Sequence, residues 1–159
     1  MSVVIILYIW RMSNAHYYLL LADDDTDDCC FFEDALHELP ISATLSTVNH
    51  GVQLMQYLNT LTGSLPDLLF LDLNMPLKSG IECLLEIKQD EKLKHLPVII
   101  FSTSLNNEVV DLLYQKGALY YIRKPGEYNK LKKVILDAVT LVTKNNTTQP
   151  ARDQFILQP

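Results

Sequence analysis

The sequence has no long apolar run, no excess of basic charge and no Cys-x-x-Cys spacing, and each absence narrows what the chain can be. Its opening hydrophobic stretch, Met1 to Trp10, falls well short of the roughly 20 residues that a helix needs to cross a bilayer. Arg11, Asn14 and His16 interrupt any extension of it. A secretory leader would put basic residues before that stretch and small residues after it, and neither is found. Three readings of this segment remain: an extra strand or packing arm, a weak membrane contact, or upstream sequence admitted by a wrongly chosen start codon, with Met12 the true beginning. The last is preferred, and residues 1–16 are set apart as an N-terminal extension. The net charge of −6 leaves no basic face to displace counterions from nucleic acid. Cys29, Cys30 and Cys83 lack metal-ligand spacing, so zinc is not expected, and their odd number points to reduced thiols in the cytoplasm.

What is present is a regular alternation. From Tyr17 onward, short apolar runs exchange with longer stretches of helical period. Strands are expected at Tyr18–Ala22, Ala43–Val48, in the run ending at Asp72, at Val98–Phe101 and at Tyr120–Ile122. Helices are expected at Thr26–Leu39, Gly51–Leu61, Gly80–Gln89 and Asn106–Lys116, the last of these closed by Gly117. In a final helix, Leu131, Val134, Ile135, Ala138, Val139 and Val142 repeat at three-and-four spacing. Such alternation implies right-handed crossovers and an α/β fold with a doubly wound, five-stranded parallel sheet, here over residues 17–143. Residues 144–159 begin with Asn145, Asn146, Thr147, Thr148 and Gln149 and read as a polar, disordered tail. At 159 residues, one domain is expected.

Asp72 stands out against this background. It follows Leu68-Leu69-Phe70-Leu71, an apolar run that reads as a strand buried on both faces, where an ionised side chain is costly unless it is paired or solvated at the strand's end. Taken alone it could be a turn or cap residue in Asp-Leu-Asn-Met-Pro. The other strands end in polar residues as well: Asp23-Asp24-Asp25, Ser102-Thr103-Ser104 and Lys124. In an open parallel sheet the ligand crevice lies at the carboxyl ends of the strands, so these residues converge on one edge. Clustered carboxylates must share protons or hold a cation, and oxygen ligands with open positions suit Mg²⁺. Asp25 is better read as the cap of the following helix. A divalent ion beside a carboxylate, a lysine and a hydroxyl is the minimum equipment for phosphoryl transfer to that carboxylate.

Four segments in order, Leu20-Leu21-Ala22-Asp23-Asp24-Asp25, Leu71-Asp72-Leu73-Asn74-Met75-Pro76, Pro97-Val98-Ile99-Ile100-Phe101-Ser102 and Tyr121-Ile122-Arg123-Lys124-Pro125, resemble the motifs of receiver domains in two-component response regulators. The resemblance spans roughly Tyr17 to Val142 and implies a flavodoxin-like fold. By this resemblance Asp72 is the phosphoacceptor, Asp23 and Asp24 are the acidic pair, and the Asn74 backbone carbonyl completes the Mg²⁺ shell. Ser102 becomes the switch hydroxyl, Tyr121 the rotating aromatic, and Lys124 the phosphoryl-contacting lysine before a cis Pro125. Two departures are visible: Gly126 stands where the family usually has a large apolar residue, and Ser102 replaces the commoner Thr. Asn74 and Ser104, each two residues past a key position, would help set access for dephosphorylation.

The implied function is that of a single-domain regulator. It would be phosphorylated by a histidine kinase and would switch its binding of a downstream protein. The second reading is a phosphorelay shuttle to a histidine phosphotransfer protein. A Mg²⁺-dependent hydrolase with an aspartyl-phosphate intermediate would share the carboxylates and the lysine, but it generally carries a second Asp two residues after the nucleophile. Here that position is Asn74, a poor general acid. A flavin binder of the same fold class is a further alternative.

Overall fold

The computed structural model describes residue 3 and residues 15–144 and 147–159. In chain order its elements are β1 (His16–Ala22), α1 (Thr26–His37), β2 (Ser42–Val48), α2 (Gly51–Thr60), β3 (Leu68–Leu71), α3 (Gly80–Gln89), β4 (Val98–Ser102), α4 (Asn107–Gln115), β5 (Tyr120–Arg123) and α5 (Tyr128–Lys144). A short 3₁₀ turn (Arg152–Gln154) and β6 (Ile156–Leu157) complete the chain. The ends lie within about two residues of those expected from the pattern, the usual scatter for helix and strand termini.

Strands β1, β3 and β4 carry almost no polar side chains because both of their faces are covered. Leu20, Ala22, Leu69, Leu71, Val98 and Ile100 pack with residues of α2, α3 and α4 on one side. Leu19, Leu21, Leu68, Phe70, Ile99 and Phe101 pack with residues of α1 and α5 on the other. Alternate residues of a strand point to opposite faces, so a doubly covered strand needs an unbroken apolar run. On the second face the rings of Phe32, Phe70 and Phe101 meet edge to face, with centroids 4.8 to 6.2 Å apart.

The strand order is β2-β1-β3-β4-β5-β6, and every pairing is parallel. The chain winds one way from β1 to β2 and the other way from β3 onward, so the order reverses between β1 and β3. That is where an open parallel sheet leaves a crevice. Helix starts are locally specified: Asp25 caps α1, Ser79 and Glu82 form a capping box on α3, and Asn106 caps α4. Gly117 follows α4 at φ 92°, in the left-handed region expected of it.

Two expectations need correction. The sheet has six strands where five were expected, because residues 147–159 do not form a disordered tail. The polar start of that segment hides the apolar Phe155-Ile156-Leu157, which finds the open outer edge of β5. Phe155 is fully buried, with its ring 5.1 Å from that of Tyr114. The Gln149 side-chain amide donates to the carbonyls of Tyr114 and Ala118, both at 2.7 Å, and Arg152 pairs with Asp111 at 2.6 Å. At the other end, His16 already belongs to β1 and Ala15 packs on the core, so the fold begins slightly before residue 17. Apart from Val3, the stretch Met1 to Asn14, including the expected start at Met12, lies outside the described residues. No described helix is long and apolar enough to cross a membrane.

Candidate functional site

Each strand-end residue is fixed by a backbone hydrogen bond to the end of a neighbouring strand. The N–H of Asp23 donates to Val48 at the tip of β2 (3.0 Å) and that of Asp72 to Ala22 at the tip of β1 (2.9 Å). The N–H of Lys124 donates to Ser102 at the tip of β4 (2.8 Å). The parallel register therefore brings Asp23, Asp72, Ser102 and Lys124 to one edge. Asp23 and Ser102 are fully buried there, and Asp72 is 6 % exposed. Asp24, Asp25, Thr26, Asp28, Asp72, Asn74, Thr103 and Lys124 line a polar cleft beside the β1–β3 reversal.

Carboxylate oxygens of Asp23, Asp24 and Asp72 all lie within 4.8 Å of one another. Lys124 is the cation set against this group: its Nζ is 2.5 Å from Asp23 Oδ2, 2.8 Å from Asp28 Oδ2 and 3.8 Å from Asp72 Oδ2. One ammonium among so many carboxylates leaves an excess of negative charge. Burial pushes the Asp72 carboxyl up to about 6, against the pull of Lys124 and of the Leu73 and Asn74 N–H groups. Burial likewise raises Asp23, with its hydrogen bond from Lys124 opposing. For Lys124, burial works against the charged form, but the hydrogen bonds to Asp23 and Asp28 outweigh it and its pKa is raised. A hard divalent cation fits such a set of oxygen donors, and the clustered acidic oxygens are themselves the reason for expecting one.

Asp25 does what was expected of it as a cap. Its Oδ1 accepts from the N–H groups of Asp27 (2.9 Å) and Asp28 (3.1 Å). The Ser102 hydroxyl is 3.3 Å from that of Ser104. Tyr121 is fully buried, and its hydroxyl donates to the Ser104 carbonyl at 2.5 Å, so the ring lies inward in this structure. Asn74 lies on the cleft next to Asp24 and Asp72. The expected cis bond before Pro125 is corrected: no described peptide bond is cis. Trans is the favoured isomer even before proline, and Lys124 reaches its carboxylates without the turn.

Asp28 lies in the first turn of α1, where negative charge suits the helix dipole, and it is not among the site residues expected from the sequence. The structure makes it a direct partner of Lys124. No local spacing marks this pairing, because Lys124 lies 96 residues further along the chain.

Comparison with known proteins agrees with this geometry. The family model described as the response regulator receiver domain matches residues 19–136. The response regulator Rcp1 of Synechocystis sp. is 39 % identical over 83 residues, which is 48 % of this chain and 56 % of that protein. The chain thus aligns with little more than half of this relative's length. Among solved structures, the phosphorylated cyanobacterial phytochrome response regulator RcpA superposes with a TM-score of 0.75 at 32 % identity, covering 82 % of this chain and 96 % of that one. The Mn²⁺-bound form of Rcp1 gives 0.71 at 29 % identity, covering 85 % and 99 %. The architecture is the flavodoxin-like one of these structures, and in this chain β6 pairs with β5 at the edge of the sheet.

Proposed function

Because the chain belongs to the response regulator receiver domain family, we propose that it accepts a phosphoryl group on Asp72 from a histidine kinase, in a Mg²⁺-dependent reaction, and then presents an altered surface to a protein partner. The observation that carries this reading is the meeting of a buried carboxylate of raised pKa with two further carboxylates, a buried hydroxyl and a lysine at one sheet edge.

With a pKa of about 6, Asp72 is largely ionised at neutral pH and available as a nucleophile. One of its oxygens forms the new O–P bond as the P–N bond to the donor imidazole breaks, and the electron pair returns to the imidazole. Lys124 moves from its present partners to neutralise a phosphoryl oxygen. The Ser102 hydroxyl leaves Ser104 and donates to another. Asp23, Asp24, Asp72 and the Asn74 carbonyl would hold Mg²⁺, which when bound supplies positive charge to the transferring group.

Switching follows from the same contacts. Tyr121 is tied to Ser104, and Ser104 to Ser102, so drawing Ser102 toward Asp72 disturbs the acceptor of the tyrosine. A new charge at Asp72 is thereby transmitted to α4, β5 and α5. β6 adjoins this face, so a partner that reads it also meets the terminal segment. That partner is a downstream protein or, in the alternative, a histidine phosphotransfer protein. We place the exchange in the cytoplasm, where ATP charges the kinase. A phosphate-ester hydrolase is less well supported, because Asn74 cannot act as the general acid.

The test is labelling with acetyl phosphate and Mg²⁺. The wild type should acquire an acid-labile phosphoryl group and Asp72→Asn should not; equal labelling would refute the assignment. RcpA is named as a phytochrome response regulator, so a phytochrome-class kinase is the first physiological donor to try.

A further inference from the structure

We propose that Asp28 is a positioning residue that holds Lys124 back from Asp72 and so sets how tightly the site retains a phosphoryl group. The inference rests on the phosphoacceptor reading of Asp72 given above.

An ammonium has three N–H donors. Two of those on Lys124 are taken at short range, by Asp23 Oδ2 at 2.5 Å and Asp28 Oδ2 at 2.8 Å. Asp72 Oδ2, at 3.8 Å, lies beyond hydrogen-bond reach. A phosphoryl group on Asp72 brings nearly two negative charges and requires the ammonium to come closer.

The two present partners are not equally able to release it. Asp23 is fully buried, and its Oδ1 is held by the Asp25 N–H at 3.0 Å. The Asp28 side chain is 35 % exposed, so water can take over its hydrogen bonds. It stands between two openings, the polar cleft shared with Asp72 and a groove on the far side lined by Phe31, Phe101 and Gly126. Asp28 thus draws the lysine toward α1, and the Phe101 ring, 5.5 Å from Nζ, lies under the same amine. Retention of the phosphoryl group becomes a competition between Asp28 and the new oxygens for one cation.

Beryllofluoride, a phosphoryl mimic, tests this by calorimetric titration at saturating Mg²⁺. Asp28→Asn should bind it about two- to fivefold more tightly than the wild type, the range expected of a partly exposed ion pair. Asp28→Glu, which restores the charge, should return the affinity toward the wild-type value. Asp27→Asn removes the same charge from the same helical turn without touching a partner of Lys124, and should change affinity by less than about twofold. An Asp28→Asn protein that binds no more tightly, or an equal gain from Asp27→Asn, would overturn the role of Asp28. A wild type that takes up no beryllofluoride with Mg²⁺ would overturn the phosphoacceptor reading as well, so the two failures are distinguishable.

Discussion

The backbone N–H of Tyr121 donates to the carbonyl of Phe155 at 3.0 Å, so the buried aromatic of the proposed switch is tied to the terminal segment. Ile156 continues this register opposite Tyr121, and Leu157 opposite Ile122. The Phe155 side chain anchors the arrangement in the core cluster that also contains Tyr121.

Phe155→Ala should therefore act on β5 as well as on the tail. Emptying a fully buried phenylalanine site costs about 3–5 kcal/mol where the surroundings cannot collapse. Near a chain end, part of that cost is met by local detachment. Hydrogen exchange at the Tyr121 amide should accelerate, since its acceptor leaves with the tail, and urea unfolding should shift to lower midpoint. A Tyr121 amide as protected as in the wild type would show that β6 does not hold it.

The same segment shows where sequence reading fails. Asp72 was legible because a charge directly after Leu68-Leu69-Phe70-Leu71 conflicts with local burial, and the polar ends of the other strands supplied it with neighbours. Alternation of period fixed the order of helices and strands, since doubly covered strands tolerate almost no polar residue. Phe155-Ile156-Leu157 was missed because a short apolar run gains strand character only from a partner edge, and composition averaged over Asn145 to Gln149 reads as tail. Asp28 was missed for a related reason. A carboxylate in a first helical turn has a sufficient local explanation, and its long-range partner Lys124 is visible only once β5 is laid beside β4.

Asp72→Asn should stabilise the metal-free protein, in a pH-dependent way. The folded-state pKa is raised to about 6 by burial, above the value of an unfolded aspartate. A raised carboxylate means that the folded state binds the proton more tightly, so the stability contributed by the protonated form is present below about pH 4 and is lost as pH rises through about 6. The variant's advantage over the wild type should thus be near zero at pH 4 and on the order of 3 kcal/mol at pH 7. Urea unfolding in chelator at the two pH values measures it, and a constant difference would count against a buried, raised Asp72.

Added Mg²⁺ should offset that penalty in the wild type. Binding to the folded state alone stabilises by about 2.7 kcal/mol at one hundred times the dissociation constant. The gain should be larger at pH 7 than at pH 5, because protons compete with the ion for Asp72, whose carboxyl is raised to about 6. Asp24→Asn removes one of the clustered carboxylates at an exposed position, so it should weaken the Mg²⁺ response while leaving metal-free stability nearly unchanged. Melting curves with and without Mg²⁺ provide the comparison, and an identical Mg²⁺ response in the variant would remove Asp24 from the site.

Gly80 and Gly126 make a contrasting pair. A Cβ at Gly80 would meet the Asp72 carbonyl oxygen at 2.1 Å and the Leu73 Cα at 2.8 Å, and neither backbone atom can swing aside. The start of α3 is pressed against the backbone of Asp72, an approach fastened by the Gly80 N–H donating to Leu73 at 3.0 Å. Gly80→Ala should cost about 1–3 kcal/mol as the backbone shifts, and the displaced Asp72 should label more slowly with acetyl phosphate. A Cβ at Gly126 meets nothing within 4 Å, and its φ lies outside the positive range. There the substitution to Ala only restricts the unfolded chain, so it should stabilise by about 0.4–1 kcal/mol with labelling unchanged. If the two variants behave alike, the loss at residue 80 is a general effect of replacing a glycine and not the result of contact with Asp72.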